Sequence, residues 1–427
     1  MPPDPIPPLW LRAIRRIRRD SGFDRVLRRV SRPPIPAFPP LPPGARSVLL
    51  YSPANMNQID GSTIWMQSVA HTLLVDPAVE VTIPLRSPVR RDVMTGALRR
   101  LGRVRLVDIH PRLAARTLGL TKTQSLDIIE RLDRRRRFDT ILIRSFEVCL
   151  VAADRATTRG RMWSCYILEP ERDPDDPAYR EQMSHIAEAS RYVVVQSEGM
   201  RRLLESVVPE ARGKTILLPP GIPGETHRRA DLSRPSRRLI YTGKFHPFYP
   251  VERMIDFFDE LRGELPDLEF HIAGDKFMPI EGDPGYQDRL RSRLETAQGV
   301  VWHGSLPRDA VIDLVAEGGV AMNLWDYRHG PRMNELVVST KLLDYASVGV
   351  PVVLTRTPMQ LEMYGDDYPL FVDDVEEALP LLRRVLTDPE LYRSTGERSF
   401  QASRPYTYPA IHERIAPYFE RPGTGPQ

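Results

Sequence analysis

The chain has 427 residues, of which 41% are apolar, and this length predicts two or three domains. It contains no run of about 18 apolar residues, no secretory signal and only two cysteines, which argues against a spanning helix, a disulfide framework and a thiolate zinc site. The net charge of +4 comes from residues 1–46, where ten Arg face three Asp, so the rest carries −3 and we expect no nucleic-acid partner.

Residues 1–45 are predicted to form a basic, proline-rich extension. Within residues 10–32, apolar residues recur at helical spacing and nine Arg occupy other positions. The pattern predicts that residues 10–32 form an interfacial helix on an anionic membrane surface. An arm that packs on the body or stays partly disordered is the alternative. The proline run 33–43 predicts an extended spacer.

The first half of the body alternates apolar runs with helical stretches. A buried strand at 48–51 leads into a loop with Gly61 and a helix at about 62–74. Further strands are predicted at 80–84, 104–108, 140–143, 164–168 and 192–195. Strands of this kind, separated by helices, indicate a parallel sheet covered on both faces.

A polar linker at about 224–237 precedes a second half with the same alternation. Its strands are predicted at 239–243, 268–273, 300–302, 320–324, 350–354 and 370–372. The α/β fold class that follows is two doubly wound, Rossmann-like domains, at 46–223 and 224–404. We expect a ligand in a central cleft that faces the carboxyl ends of both sets of strands.

Two glycine-containing turns have the composition of phosphate sites. Gly61 and Ser62 open a predicted helix, where backbone N–H groups can hold a phosphate, although a tight turn explains Gly61 equally well. Gly243 and Lys244 follow a strand, and a lysine at that position suits a pyrophosphate. A solvated loop lysine is the alternative. The chain has only five lysines among 60 basic residues, so Lys244 is notable.

A third segment, from Asn334 to Val353, contains Glu335, Lys341 and Asp344. A helix is predicted at about 340–348, with Gly349 as its C-cap. A carboxylate near a helix N-terminus can accept ribose hydroxyls, which makes Asp344 a candidate. An internal Lys–Asp pair on one helix face is the simpler interpretation.

Seven segments, taken in order, resemble the retaining glycosyltransferases of family 4, which have the GT-B architecture. They are distributed in order across about residues 46–420, and the last is the most diagnostic. The segments are Pro53 to Gly61, Tyr192 to Glu198, Lys214 to Gly221, Tyr241 to Lys244, His271 to Gly274, Val301 to Gly304 and Lys341 to Val352.

The resemblance implies roles for the candidate residues. It assigns Gly61 and Ser62 to the donor phosphates and Lys244 to the pyrophosphate. It also assigns Asp344 to the nucleotide ribose and Glu335 to the donor sugar, so that Glu335 and Lys244 become the catalytic candidates. Gly243 belongs to the same donor-binding set, and Lys341 can supply a further positive charge.

The chain departs from the family pattern at three positions. Eight residues rather than seven separate Glu335 from Asp344, and the second carboxylate is Asp rather than Glu. No Lys follows Lys244 within residues 246–250, where the family often has a second basic residue. Arg144 stands after the strand 140–143, where the family often has His.

The function that the resemblance implies is retaining transfer of a sugar from a nucleotide-diphosphate sugar to an unknown acceptor, with no metal or other cofactor. The basic arm would suit a lipid-linked acceptor in cell-envelope glycan assembly, and thus a cytoplasmic protein on the inner membrane face. Residues 405–427 are expected to cross back to the first domain, as GT-B chains commonly do. A non-catalytic scaffold subunit and a nucleotide-sugar epimerase are the alternatives.

Overall fold

The computed structural model describes residues 35–108, 119–224, 228–280, 282–329 and 332–419. The predicted membrane helix over 10–32 lies outside these residues and stays a prediction. The described part of the proline run contacts the body through Phe38, whose ring lies 5.2 Å from the Arg105 guanidinium and 5.3 Å from that of Arg136.

The chain divides into two compact units. The first contains the described residues up to Ile167, with Asp175–Val194 and Val208–Thr215. The second contains Leu168–Pro174, Val195–Val207 and the described residues from Ile216 onward. The predicted boundary after residue 223 and the predicted return of 405–427 stay predictions. The described part of that segment contacts Ile222, which forms a β-bridge with Thr407.

The first sheet has seven strands in the order β3-β2-β1-β4-β5-β6-β7, and the pairings among β1 to β6 are parallel. The strands are β1 Arg46–Tyr51, β2 Val79–Pro84, β3 Val104–Val107, β4 Thr140–Ile143, β5 Met162–Cys165, β6 Tyr192–Val195 and β7 Thr215–Leu217. The strand order reverses between β1 and β4, which is where ligand sites of open parallel sheets form.

Helices follow most of these strands. They are α1 Gly61–Leu73, α2 Thr95–Arg99, α3 Lys122–Arg136, α4 Phe146–Ala153, α5 Pro177–Ala189 and α6 Glu198–Val207, with a short 3-10 helix at Pro209–Ala211. The predicted strand at 164–168 was wrong at its end. Tyr166 has φ +59°, a left-handed conformation that a strand cannot contain, so β5 ends at Cys165.

The second sheet has six parallel strands in the order β10-β9-β8-β11-β12-β13. They are β8 Arg238–Thr242, β9 Glu269–Ala273, β10 Val300–Trp302, β11 Val320–Asn323, β12 Val352–Thr355 and β13 Phe371–Val372. Here the order reverses between β8 and β11. Both sheets thus have the doubly wound, Rossmann-like topology that the sequence predicted.

The second sheet is covered by a further set of helices. They are α7 Val251–Glu264, α8 Tyr286–Thr296, α9 Arg308–Ala316, α10 Thr340–Val348, α11 Pro358–Tyr364, α12 Ala378–Thr387, α13 Pro389–Ser403 and α14 Tyr408–Ile415. Short 3-10 helices occupy Tyr327–His329, Arg332–Leu336, Val375–Glu377, Arg404–Tyr406 and Ala416–Phe419.

Helix α10 confirms the prediction for 340–348. Ser339 caps its N-terminus by accepting the Leu342 N–H, and Gly349 ends it with φ +81°. Only glycine adopts that conformation without strain, which is why the helix ends there. In the described part of the chain, no helix combines the length and apolarity needed to cross a bilayer.

Candidate functional site

The loops after β8 and β9 approach each other as closely as glycine permits. Gly243 follows β8 with φ +143°, and Gly274 follows β9 with φ +154°. A Cβ on Gly274 would lie only 1.9 Å from the Gly243 carbonyl oxygen, so no other residue fits without moving the backbone. The predicted site residue Gly243 is therefore held in place from the neighbouring strand.

Two lysines that are far apart in the chain meet beside this turn. Lys341, in the first turn of α10, places its ammonium nitrogen 4.1 Å from the centre of the Tyr249 ring and 4.5 Å from that of Tyr241. The Lys244 ammonium lies 5.6 Å from the same Tyr249 ring. A Cβ on Gly243 would lie 3.4 Å from the Lys341 nitrogen. One cluster thus contains three of the predicted donor-binding residues, Gly243, Lys244 and Lys341. Their role in donor binding stays a prediction.

The Tyr241 hydroxyl connects both lysines through hydrogen bonds. It donates to the Lys244 carbonyl oxygen over 2.6 Å and accepts from the Lys341 ammonium over 3.4 Å. Tyr241 is fully buried in β8, so its hydroxyl has a fixed position. Tyr249 belongs to this cluster as well, because both lysine side chains approach its ring.

Two cationic side chains lie close together in the lysine cluster, over the Tyr249 ring. Burial, and to a smaller extent the nearby Lys244 ammonium, lower the pKa of Lys341 to about 7. Among the residues that the structure describes, no carboxylate forms an ion pair with Lys341. A bound anion would relieve this repulsion and favour the charged ammonium, so the arrangement suits a phosphate or diphosphate.

Polar groups that the sequence did not indicate lie beside Lys244. The pKa of His246 is lowered first by burial, then by Lys244 and His329, which places the three groups within electrostatic reach. Asp326 accepts hydrogen bonds from Arg328 Nε at Oδ1 over 2.8 Å and from Arg328 Nη2 at Oδ2 over 2.7 Å, and His329 Nδ1 lies 3.2 Å from the same Oδ2. These residues come from two loops, so no local spacing could have revealed them.

Asp344 has different partners from Lys341, although both lie on α10. Its Oδ1 accepts hydrogen bonds from Nε and Nη2 of Arg308, the first residue of α9, at 2.9 and 2.7 Å. The Arg308 side chain is 11% exposed and that of Asp344 is 6% exposed. Burial raises the pKa of Asp344, and the Arg308 guanidinium opposes that rise. The simpler interpretation, a Lys341–Asp344 pair, is not what forms.

Arg308 also contacts the chain before the linker. Its Nη2 donates to the Gly221 carbonyl oxygen over 3.4 Å, and Tyr408 of α14 is a further hydrogen-bond partner. The Arg308–Asp344 pair therefore ties α9 and α10 to the start of the second unit and to α14. Sequence reasoning missed Arg308 because it lies 36 residues from Asp344.

Glu335 lies in the 3-10 helix Arg332–Leu336, with a half-buried side chain. The next residue fixes this turn, because the Leu336 carbonyl accepts a hydrogen bond from Ser197 Oγ over 2.8 Å. A Cβ on Gly199 would lie 2.8 Å from Leu336 Cδ2, so α6 packs tightly against it. The catalytic role of Glu335 stays a prediction.

In the first unit, the predicted phosphate turn is capped by a carboxylate. Asp60 Oδ1 accepts the N–H groups of Ser62 and Thr63 at 2.9 and 3.1 Å, and Thr63 Oγ1 accepts the Asp60 N–H. A Cβ on Gly61 would meet nothing within 4 Å, and its φ is not positive. The explanation that Gly61 is required by a tight turn is therefore not supported. The Ser62 N–H, which was predicted to hold a phosphate, already donates to Asp60.

A metal site would need several ligating side chains close together. Within the described ranges, no group of three or more His, Cys, Asp or Glu could hold a metal ion. The expectation that the protein works without a metal stays a prediction.

Residues 253–415 match the family model described as glycosyl transferase-like. Sucrose-phosphate synthase from Thermosynechococcus elongatus superposes with a TM-score of 0.64 at 13% identity, covering 88% of this chain and 98% of its own. Anabaena HepE in complex with UDP and glucose gives 0.62 at 13%, covering 87% and 99%. TarM gives 0.64 at 8%, covering 88% and 99%.

A search of curated proteins finds no match by sequence. At these identities the structural similarities establish the fold, which is GT-B. The glycosyl transferase-like match is confined to residues 253–415 of the chain.

Proposed function

We propose that this protein is a glycosyltransferase that binds the diphosphate of a nucleotide sugar at the Lys244–Lys341 cluster and transfers the sugar to an acceptor with retention of configuration. The observation that carries the proposal is the meeting of two lysines over one Tyr249 ring, at the carboxyl edge of the second sheet. The glycosyl transferase-like match at 253–415, which contains Lys341 and Asp344, supports it.

The chemistry requires stabilisation of a departing diphosphate. The bond between the sugar C1 and the phosphate oxygen breaks, and a bond from C1 to the acceptor oxygen forms on the same face. The acceptor's hydroxyl proton passes to the leaving diphosphate. Lys244 and Lys341 would stabilise the negative charge that develops on that group. Glu335 would hold the donor sugar, and Gly61 and Ser62 would approach the donor phosphates, as the resemblance implies.

Asp344 can keep a ribose role despite its ion pair. Both hydrogen bonds from Arg308 go to Oδ1, and among the described residues none donates to Oδ2. Oδ2 is therefore the oxygen that we assign to a ribose hydroxyl. Arg308 would then orient the carboxylate and keep it ionised.

Calorimetric titration with UDP, GDP, dTDP and ADP tests the donor site. UDP is the first candidate base, because the HepE relative was solved with UDP and glucose. We expect micromolar binding of one diphosphate and much weaker binding of the others. If none binds, the scaffold alternative replaces the proposal.

The corresponding nucleotide sugar separates a transferase from an epimerase. Incubation without acceptor should leave the sugar's ring configuration unchanged in proton NMR spectra, with at most slow hydrolysis. Conversion to a second sugar would identify an epimerase. Once an acceptor that supports transfer is identified, the product should keep the donor's anomeric configuration. A product with inverted configuration would contradict the proposed retaining mechanism.

The acceptor is proposed to be lipid-linked at the inner membrane face, reached through the basic arm at 10–32. Deleting residues 1–45 should release the protein from anionic liposomes in sedimentation, because nine Arg are lost from the segment that we assign to the membrane. Unchanged sedimentation would exclude the arm as the membrane contact.

A further inference from the structure

A partly buried arginine lies at the point where the first sheet reverses its strand order. Arg144 directly follows β4, and β4 pairs with β1 on one side and β5 on the other. Its guanidinium carbon lies 5.0 Å from the Trp65 ring and 5.5 Å from the Tyr166 ring. Trp65 belongs to α1, which follows β1, and Tyr166 follows β5. One helix and two loops at the carboxyl edge of the sheet thus surround one guanidinium.

The two aromatic rings are themselves fixed. The Tyr166 hydroxyl accepts a hydrogen bond from Trp65 Nε1, and the rings meet edge to face at 5.3 Å. Tyr166 has φ +59°, a conformation that is strained for a bulky residue and that persists only where the surroundings enforce it. The cage is therefore built rigidly around Arg144.

The guanidinium has no acceptor inside its cage. Among the residues that the structure describes, none accepts a hydrogen bond from the Arg144 side chain, and none forms an ion pair with it. Burial lowers the pKa of Arg144, and the nearest carboxylate that acts on it is Asp60, which already caps the Ser62 and Thr63 amides. A planar group with five donors, held between aromatic rings, matches the two oxygens of a carboxylate or phosphate.

We propose that Arg144, held by Trp65 and Tyr166, binds a phosphate or carboxylate group of a small substrate in the first unit. Under the proposed function this substrate is the acceptor, because the donor diphosphate is assigned to the second sheet. That assignment rests on the proposed function, whereas the anion binding itself does not.

Calorimetry with three small probes tests the site. Glucose 6-phosphate carries a phosphate, glucuronate carries a carboxylate, and glucose carries neither. We expect the wild-type protein to bind at least one of the two anions in the millimolar range or tighter, and glucose more weakly. The anion that binds more tightly identifies the natural group. If neither anion binds better than glucose, the proposal is overturned.

Variants locate the binding. Arg144→Gln should lower the affinity for the preferred anion by about 10- to 100-fold, the range expected for the loss of hydrogen bonds to a charged group. Arg144→Lys should recover only part of the lost anion affinity, because an ammonium group lacks the planar pair of N–H donors that a guanidinium offers to two oxygens. Arg155→Gln, which removes an exposed arginine of the same unit, should bind like wild type.

Two further readouts keep the result interpretable. The thermal unfolding of Arg144→Gln should resemble wild type; should it not, Arg144→Lys carries the test. Lys244→Ala should leave anion binding unchanged, which separates this site from the donor site. Equal anion affinity in wild type and both Arg144 variants, or loss in Lys244→Ala alone, would contradict the proposal even if nucleotide binding holds.

Discussion

The ammonium nitrogen of Lys341 lies 4.1 Å from the centre of the Tyr249 ring, a contact that joins the first turn of α10 to the loop after β8. Lys244 approaches the same ring from its own loop. An aromatic face attracts both cations but cannot neutralise them. Lys244 lowers the pKa of Lys341 through repulsion, and a diphosphate bound at the cluster would relieve that repulsion.

The titration of Lys341 predicts how diphosphate affinity depends on pH. With a pKa of about 7 in the free protein, Lys341 loses its charge as the pH rises, whereas a bound diphosphate favours the ammonium. Affinity should therefore fall as the pH rises above about 7, with proton uptake on binding. Calorimetry in buffers of different ionisation enthalpy measures that uptake.

The matched variants are Lys341→Met and Lys122→Met, the latter on an exposed lysine paired with Glu147. Lys341→Met should abolish the uptake at about pH 8, and Lys122→Met should not. Uptake that persists in Lys341→Met would assign the proton to another group.

The Arg308–Asp344 pair should contribute strongly to stability. Removing one partner of a buried pair leaves an uncompensated charge, so Asp344→Ala should lower the free energy of unfolding by about 3–5 kcal/mol. The exposed Arg383–Glu264 pair is the control, and Glu264→Ala should cost less than about 1 kcal/mol. Denaturant unfolding measures both.

A double variant separates charge from packing. Arg308→Met with Asp344→Leu should recover much of the lost stability, because no unpaired charge remains. If Asp344→Ala unfolds like the wild type, the pair is not structural. Separately, a loss of nucleotide affinity in the double variant, if that variant is stable, would support the proposed binding of the ribose by Asp344 Oδ2.

Gly274 should tolerate no side chain. An added Cβ would meet the Gly243 carbonyl at 1.9 Å, so Gly274→Ala should destabilise the protein by about 3 kcal/mol and weaken diphosphate binding through Gly243. Gly263→Ala, on the exposed side of α7 with nothing within 4 Å, should keep or slightly raise the melting temperature. Equal melting temperatures for both variants would refute the steric account.

Gly61 gives the opposite expectation for stability. Within the described part of the chain, nothing would lie within 4 Å of a Cβ there, so Gly61→Ala should melt like the wild type. If the donor phosphates approach this turn closely, donor affinity should fall about tenfold or more, as expected when an added methyl group collides with a bound group. Unchanged affinity would remove Gly61 from the site.

Local patterns in the sequence were sufficient for the strands and for α10. The apolar runs marked nearly every strand, and Gly349 marked the helix end because a left-handed C-cap requires glycine. Lys244 was found because a strand and a glycine precede it. The end of β5 was missed because the left-handed conformation of Tyr166 has no sequence signature.

Contacts between distant segments were beyond the sequence. Asp344 was predicted as a ribose ligand from its place near a helix N-terminus, but its pairing with Arg308 depends on how α9 packs against α10. Likewise, the contact between Tyr249 and Lys341 joins segments that are far apart in the sequence. Arg144 differs from the family pattern in the sequence, but its aromatic cage depends on contacts between α1 and the loops after β4 and β5.

The most direct test of the central claim is calorimetric titration of UDP into wild type, Lys244→Ala and Lys122→Ala. The donor-site account predicts micromolar binding to wild type and Lys122→Ala, and at least tenfold weaker binding to Lys244→Ala, because a charge-assisted contact to the diphosphate is lost. If GDP, dTDP or ADP binds more tightly than UDP in the titration of the four nucleotides, that nucleotide replaces UDP in this test. Equal affinity in Lys244→Ala and wild type would contradict the claim that the lysine cluster holds the donor diphosphate.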